Sequence, residues 1–198
     1  MLGTASVEFE KAWRGCVLWS NEEDLSRDDL LLNISTIHSF IVAATAEQLP
    51  GATIGATPES LAATLHFEPS SSPEISKTLA ASSMRRFAYP LLARTPDGAI
   101  AGLAIYFYNY STWSAAPGLC LEEFYVLPEF RSLGYGRILM KAMAQEARDA
   151  GCVKMEWVCL ENNERALRFY GKLGAKRMED WVVLKLTQEV IATLAEEM

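Results

Sequence analysis

The chain has 198 residues, half of them apolar, and a formal net charge of -7. That length suits one domain with a substantial core plus an appendage, and the composition argues against extensive disorder. The acidic balance repels phosphate backbones, and with no basic stripe in view nucleic acid is not an expected partner. Four cysteines, Cys16, Cys120, Cys152 and Cys159, lack metal-ligand spacing and are too few for a secreted disulfide scaffold of this size. No basic flank precedes an apolar run at the N-terminus, and no stretch reaches membrane-spanning length. A cytoplasmic protein with reduced cysteines, no metal and no membrane partner is the expectation.

Met1 to Asp29 shows no clear period and reads as an extension. From Leu30 to Gln48 the apolar residues Ile34, Ile37, Phe40, Ile41 and Ala44 recur at intervals of three and four, the spacing of one helix face, and Pro50-Gly51 ends it. Thr57-Pro58-Glu59-Ser60 opens a second helix, with Leu61, Ala62 and Leu65 as its apolar side. Glu68 to Lys77 is rich in Ser and Pro and reads as an exposed loop. Tyr89 to Arg94 and Ala99 to Asn109 form a predicted β-hairpin around Pro96-Asp97-Gly98. Leu119 to Leu127 is the next strand, and Ile138 to Ala150 a helix whose Leu139, Met143, Ala147 and Ala150 share a face, stopped by Gly151. A strand from Lys154 to Leu160, a helix from Asn163 to Leu173 and a last strand from Trp181 to Leu186 complete the chain. This order implies an α/β fold with a mixed sheet and helices packed on it.

Gly134-Tyr135-Gly136 falls where a strand has ended and a helix begins, so backbone N–H groups can converge on an anion at the positive end of the helix dipole. Arg131 and Arg137 supply charge to the same place, and glycine permits close approach. A plain strand-to-helix connection would look the same. Two nucleotide signatures fit poorly. The dinucleotide fingerprint needs a third glycine where Leu139 stands, and a P-loop needs Gly-Lys-Ser/Thr, which Gly171-Lys172-Leu173 is not.

Glu129-Phe130-Arg131-Ser132-Leu133-Gly134-Tyr135-Gly136 resembles the Arg/Gln-x-x-Gly-x-Gly/Ala acetyl-CoA signature of the GNAT acetyltransferase superfamily. Asn163-Glu164-Arg165-Ala166-Leu167-Arg168-Phe169-Tyr170, followed by Gly174-Ala175, resembles the motif that closes the cofactor site in that family. The aromatic run Tyr106 to Trp113 and the segment Leu121-Glu122-Glu123-Phe124-Tyr125-Val126 are similar to the branch that acetylates diamines, spermidine, spermine and thialysine. The resemblance is strong from Tyr89 to Leu186. It implies a GNAT fold over residues 30–198, with a partly splayed sheet that admits acetyl-CoA, after an extension over residues 1–29.

On matching positions the resemblance further implies that backbone groups of Phe124, Tyr125 and Val126 pair with the pantetheine arm. Arg131, Ser132, Leu133, Gly134, Tyr135, Gly136 and Arg137 would hold the pyrophosphate. Asn163 would touch the pantetheine, and Tyr170 would stand beside the thioester sulfur. Glu122 would serve the amine, with Trp113 and Glu123 near the acceptor, and the enzyme would be a homodimer. Two departures stand out. The link Glu47 to Thr57 is mostly Ala, Gly and Thr where polyamine-acting relatives are acidic, and the family's first strand is not recognisable in Met1 to Asp29.

The chemistry fits these residue types. An alkylamine with a pKa of about 10.4 arrives protonated and must lose that proton before it attacks a thioester. Glu122, directly or through a water, is the candidate base. Strict alternation sends Glu122 and Glu123 to opposite faces, so both reach one acceptor only if a bulge breaks the pleat. The departing thiolate needs a proton, which a phenol such as Tyr170 can give. Without the motif, Tyr170 shares a face with Ala166, Phe169 and Leu173 and reads as a half-buried core tyrosine. Trp113 reads equally as a packing or dimer-interface aromatic, and His38 and His66 read as structural. Peptide acetylation and a non-catalytic CoA-binding regulator are the alternatives to transfer onto a small amine.

Overall fold

The computed structural model describes residues 18–19, 27–66 and 87–197, with backbone alone for 18–19 and 27–32. The predicted loop over Glu68 to Lys77 lies outside the described residues. Two compact units divide the chain, residues 1–158 and 159–198.

In the first unit, β1 (Leu18–Trp19), β2 (Tyr89–Arg94), β3 (Ile100–Ser111), β4 (Ala116–Val126) and β5 (Met155–Trp157) form one sheet in the order β1-β2-β3-β4-β5. The first four are antiparallel neighbours, and β5 joins β4 in parallel. Part of the 1–29 segment therefore does belong to the sheet: Leu18 and Trp19 pair with Ala93 and Leu92. Two residues carry no readable period, which is why this strand escapes the sequence pattern.

Helix α1 (Arg27–Gln48) covers one face of the sheet. Its stripe of Ile34, Ile37, Phe40 and Ala44 is buried against Leu92, Leu103, Ile105 and Tyr125, with Ile41 partly covered, as the spacing predicts. Each large apolar side chain so buried contributes about 1.5–3 kcal/mol, which fixes α1 on the sheet and brings its C-terminal turn to the end of β4. Helix α2 (Pro58–Thr64) adds Leu61 and Leu65 to the same core. A reciprocal pair of hydrogen bonds between Thr57 and Ser60 caps it, and Pro58 occupies its first turn.

The opposite face belongs to α3 (Tyr135–Asp149), which buries Ile138, Leu139, Met140, Met143 and Ala147. Gly102 lets it come close: a Cβ there would lie 3.1 Å from both Leu139 Cδ1 and the Tyr125 carbonyl oxygen. The hairpin between β2 and β3 turns at Thr95–Gly98, with Gly98 at φ +91°.

The two histidines are accounted for structurally. His38 Nε2 lies 3.0 Å from the Ala56 carbonyl oxygen, tying α1 to the segment before α2. His66 stacks on Tyr89 at 4.8 Å, and Tyr89 stacks in turn on Tyr106 at 5.3 Å. The first part of the aromatic run at Tyr106 is thus internal packing, and burial raises the Tyr106 phenol far above its ordinary range.

In the second unit, α4 (Glu164–Lys172) and α5 (Gln188–Glu196) are the regular elements. The expected strand from Trp181 to Leu186 does not form among the described residues; those positions are irregular and exposed. β-Propensity expresses fit to a paired, half-buried surface, and among the described residues of this unit there is no strand to pair with. The strand expected over Lys154 to Leu160 is likewise shorter, because β5 pairs with β4 only from Met155 to Trp157.

Candidate active site

Ladder pairing places a break in β4. Tyr106 lies opposite Leu121 and Ile105 lies opposite Glu123, so Glu122 is one residue more than β3 can match. A bulge thus lies at the adjacent carboxylates, where strict alternation would have sent Glu122 and Glu123 to opposite faces. Leu121 stays on the α3 face with Tyr106, while Glu123 takes the α1 face with Ile105, and Glu122 drops out of the alternation. Glu122 is exposed and Glu123 half-buried.

Just beyond the bulge, β4 runs past its other neighbour. β5 pairs with β4 only at Leu119, Cys120 and Leu121, so from Glu122 to Val126 that edge of β4 has no strand partner among the described residues. The Phe124 N–H donates to Glu123 Oε1 at 3.1 Å. Burial pushes the Glu123 carboxyl above the ordinary carboxylate range and the Glu122 charge adds to the effect, while the Phe124 N–H opposes it.

The turn after β4 leads through a short 3-10 segment, Pro128–Phe130, to Arg131 and then to α3. Two residues in it take left-handed backbone, Ser132 at φ +64° and Gly134 at φ +97°. Gly134 is the N-cap of α3 and supplies no side-chain cap; the helical ladder starts with Ile138 N–H to the Gly134 carbonyl at 3.1 Å. A Cβ built on Gly134 would meet nothing within 4 Å. Glycine is needed here for conformation rather than for space. Arg137, in the first turn of α3, is exposed.

Arg131 holds a more elaborate position than its motif suggests. Its Nε donates to the Val126 carbonyl at 2.8 Å and its Nη2 donates to Glu47 Oε2 at 2.6 Å. The Tyr125 hydroxyl donates to the same Glu47 oxygen at 2.8 Å, and the Arg131 guanidinium lies 5.2 Å from the Tyr125 ring centroid. Glu47, in the last turn of α1, is a residue that the sequence pattern does not single out; 78 and 84 residues separate it from its partners.

Trp113 sits at the tip of the β3–β4 hairpin and is 90% exposed. Six residue steps lead along the strand from Ala116 to Glu122, roughly 20 Å at about 3.3 Å per step, so one chain does not bring Trp113 to Glu122. In the second unit, Asn163 Oδ1 accepts from the Ala166 N–H at 3.2 Å and caps α4. Tyr170 lies near the end of α4, its ring 5.4 Å from that of Phe169 and its carbonyl accepting from the Ala175 N–H.

A bulge at Glu122 next to Glu123, a strand edge with no strand partner among the described residues and a glycine-bearing turn thus follow one another within the first unit. The profile of the Acetyltransferase (GNAT) family matches residues 60–175. The chain belongs to the GNAT acetyltransferase family. Among similar curated proteins is thialysine N-epsilon-acetyltransferase of Caenorhabditis elegans, 34% identical over 49% of this chain and 62% of its own length. The Bos taurus thialysine N-epsilon-acetyltransferase is 35% identical over 50% of this chain and 61% of its own length. L-ornithine N5-acetyltransferase of Arabidopsis thaliana is 29% identical over 50% of this chain and 43% of its own length. The matched region is thus under two thirds of each relative.

Solved structures agree on the fold. An integron cassette protein from the mobile metagenome of V. cholerae superposes with a TM-score of 0.63 at 16% identity, covering 92% of this chain and 98% of that one. A Trypanosoma brucei acetyltransferase gives 0.55 at 20% identity, covering 86% and 99%. Among the described residues no group of His, Cys, Asp or Glu is arranged to hold a metal ion, and no helix is long and apolar enough to cross a membrane.

Proposed function

We propose that this GNAT protein transfers the acetyl group of acetyl-CoA directly to the primary amine of a small molecule: a diamine, a polyamine or a lysine-like amino acid. The observation that carries the reading is the bulge at Glu122, followed by the edge of β4 that pairs with no strand among the described residues and by the glycine-bearing turn. The residues present fit the donor. The N-terminus of α3, which no side chain caps at Gly134, suits a pyrophosphate, to be held by Arg131, Ser132, Leu133, Gly134, Tyr135, Gly136 and Arg137. The backbone of Phe124 to Val126 suits an amide-bearing arm laid along a strand edge. Bound there, acetyl-CoA supplies an activated acyl carbon and a thiolate leaving group.

The chain's own residues do the rest. Glu122, exposed at the bulge, attracts the ammonium and takes its proton, directly or through a water, so that the amine nitrogen regains its lone pair. The new C–N bond forms as the C–S bond breaks, the Tyr170 hydroxyl gives its proton to the sulfur, and the second proton, shed by the nitrogen as it becomes an amide, returns to the Tyr170 oxygen through solvent. Asn163 belongs to the cofactor side and Glu123 to the acceptor side. Exposure of Trp113 at a hairpin tip, far along the strand from Glu122, favours its reading as a contact aromatic of a homodimer. A cytoplasmic location belongs to the same proposal.

Thialysine and ornithine, named in the relatives' activities, are both amino acids with a side-chain primary amine. The link from Glu47 to Thr57 favours such acceptors over long polycations. Its one charged residue, Glu47, is already engaged by Arg131 and Tyr125. The test is thiol release from acetyl-CoA across a panel of diamines, polyamines, thialysine, ornithine, lysine and peptides. Release with small amines is the expected result. Release with peptides alone supports peptide acetylation, and cofactor binding without release to any amine supports a CoA-binding regulator.

A further inference from the structure

We propose that Glu47 is a positioning residue for cofactor binding: from the end of α1 it clamps Arg131 and Tyr125, and so sets the geometry of the turn that receives the pyrophosphate. The inference rests on the acetyl-CoA reading above and goes beyond it, since Glu47 lies outside every motif that points to the donor. One carboxylate oxygen, Glu47 Oε2, receives both the Arg131 Nη2 and the Tyr125 hydroxyl. Arg131 in turn holds the Val126 carbonyl through Nε. A single guanidinium therefore ties the last turn of α1 to the last residue of β4, at the residue where the pyrophosphate turn starts.

The turn needs such an anchor. Between Arg131 and Tyr135 it contains two left-handed residues, Ser132 and Gly134, and it lies outside the sheet ladder, which ends at Val126. Its downstream end is set by α3. Its upstream end is set by the Arg131 N–H to the Pro128 carbonyl at 3.2 Å and by the side-chain clamp. The pair is partly shielded, with side chains 21% and 33% exposed, so it is less screened than a surface ion pair. The planar guanidinium spans two acceptors at once, a geometry that lysine cannot reproduce.

Charge and position predict opposite signs for loss of Glu47. If only charge mattered, removing a carboxylate near an anion site would tighten binding of an anionic cofactor. If Glu47 positions the turn, removing it weakens binding although the site becomes more positive. The experiment measures the CoA dissociation constant by calorimetry, the KM for acetyl-CoA and kcat, with thermal stability alongside, for wild type, Glu47→Ala, Glu47→Gln, Arg131→Lys and Tyr125→Phe.

The expected result for Glu47→Ala is a dissociation constant and KM about 10- to 100-fold higher, the scale of losing a hydrogen bond to a charged group, with kcat at saturation within about twofold. Glu47→Gln, which keeps an acceptor, recovers part of the loss. Arg131→Lys weakens binding although its charge is kept. Tyr125→Phe, which removes one of two donors and is the mildest change to the fold, gives a smaller shift of the same sign. Unchanged or tighter CoA binding in Glu47→Ala and Tyr125→Phe overturns the clamp and leaves the acetyl-CoA reading standing. A wild type that binds no CoA overturns both.

Discussion

Replacing Gly134 by alanine isolates what the turn before α3, the proposed pyrophosphate seat, owes to backbone conformation alone. The residue sits at φ +97° with ψ -11°, and a Cβ on it would touch nothing within 4 Å. Steric collision with neighbours is therefore absent, and the cost is that of a left-handed L-residue, about 1–2 kcal/mol. Two outlets exist for it. If the turn keeps its shape, the penalty lowers global stability, and for a domain of this size Tm drops by about 2–8 °C. If the turn relaxes, stability is spared and the dissociation constant for CoA rises by roughly 5- to 30-fold. The assay pairs a thermal melt with CoA calorimetry on Gly134→Ala and Gly134→Asn, since asparagine tolerates this region better and should recover part of the loss. A Gly134→Ala protein with wild-type Tm and wild-type CoA affinity would refute the reasoning. So would a combined loss well beyond about 3 kcal/mol, because it would require a collision that the open space excludes.

Glu122→Gln should lower kcat by about 10²-fold or more at neutral pH with little change in CoA affinity, as expected for a lost general base, and equal kcat would remove Glu122 from that role. Tyr170→Phe should lower kcat similarly while the protein folds and binds CoA; a kcat unchanged at every pH rules out the proton donor. Glu123 gives a stability prediction. Because its carboxyl is raised in the fold, its contribution is present at low pH and lost as pH rises from the ordinary value of 4.5 through the raised one. Glu123→Gln should therefore raise Tm relative to wild type at about pH 7 but not at about pH 3.5, and an equal shift at both would contradict the assignment to burial. At Gly118, where β3, β4 and β5 meet, a Cβ would come within 2.9 Å of Lys154 Cγ and closer still to Asn109 Oδ1. Gly118→Ala should cost about 1–3 kcal/mol, read by denaturant unfolding, and a neutral result would show that both side chains move aside freely.

Local signals proved readable where one element buries one face. The α1 stripe from Ile34 to Ala44, the α3 face at Leu139 and Met143 and the hairpin at Gly98 follow from periodicity and turn chemistry. The candidate site was proposed from another kind of signal, the spacing around Gly134 and the adjacent carboxylates, and a bulge does interrupt the ladder at Glu122. Pairing was not legible. Trp181 to Leu186 carries the composition of a strand without forming one, and Leu18–Trp19 forms a strand too short to show a period. Glu47 was invisible because its partners, Tyr125 and Arg131, lie far along the chain. Nothing in an acidic residue near a helix end distinguishes a clamp from a solvated face.

The bulge also says which residue the sheet can do without. Since Leu121 and Glu123 already face their proper partners across β3, excising residue 122 would leave an uninterrupted pleat, with Leu121 against Tyr106 and Tyr125 still turned toward Phe40. The ladder on either side would keep its register in the shorter strand, whereas the base of the proposed mechanism would be lost. Glu122 thus occupies an exposed insertion that no cross-strand partner on β3 constrains, and the proposed base would act from that position.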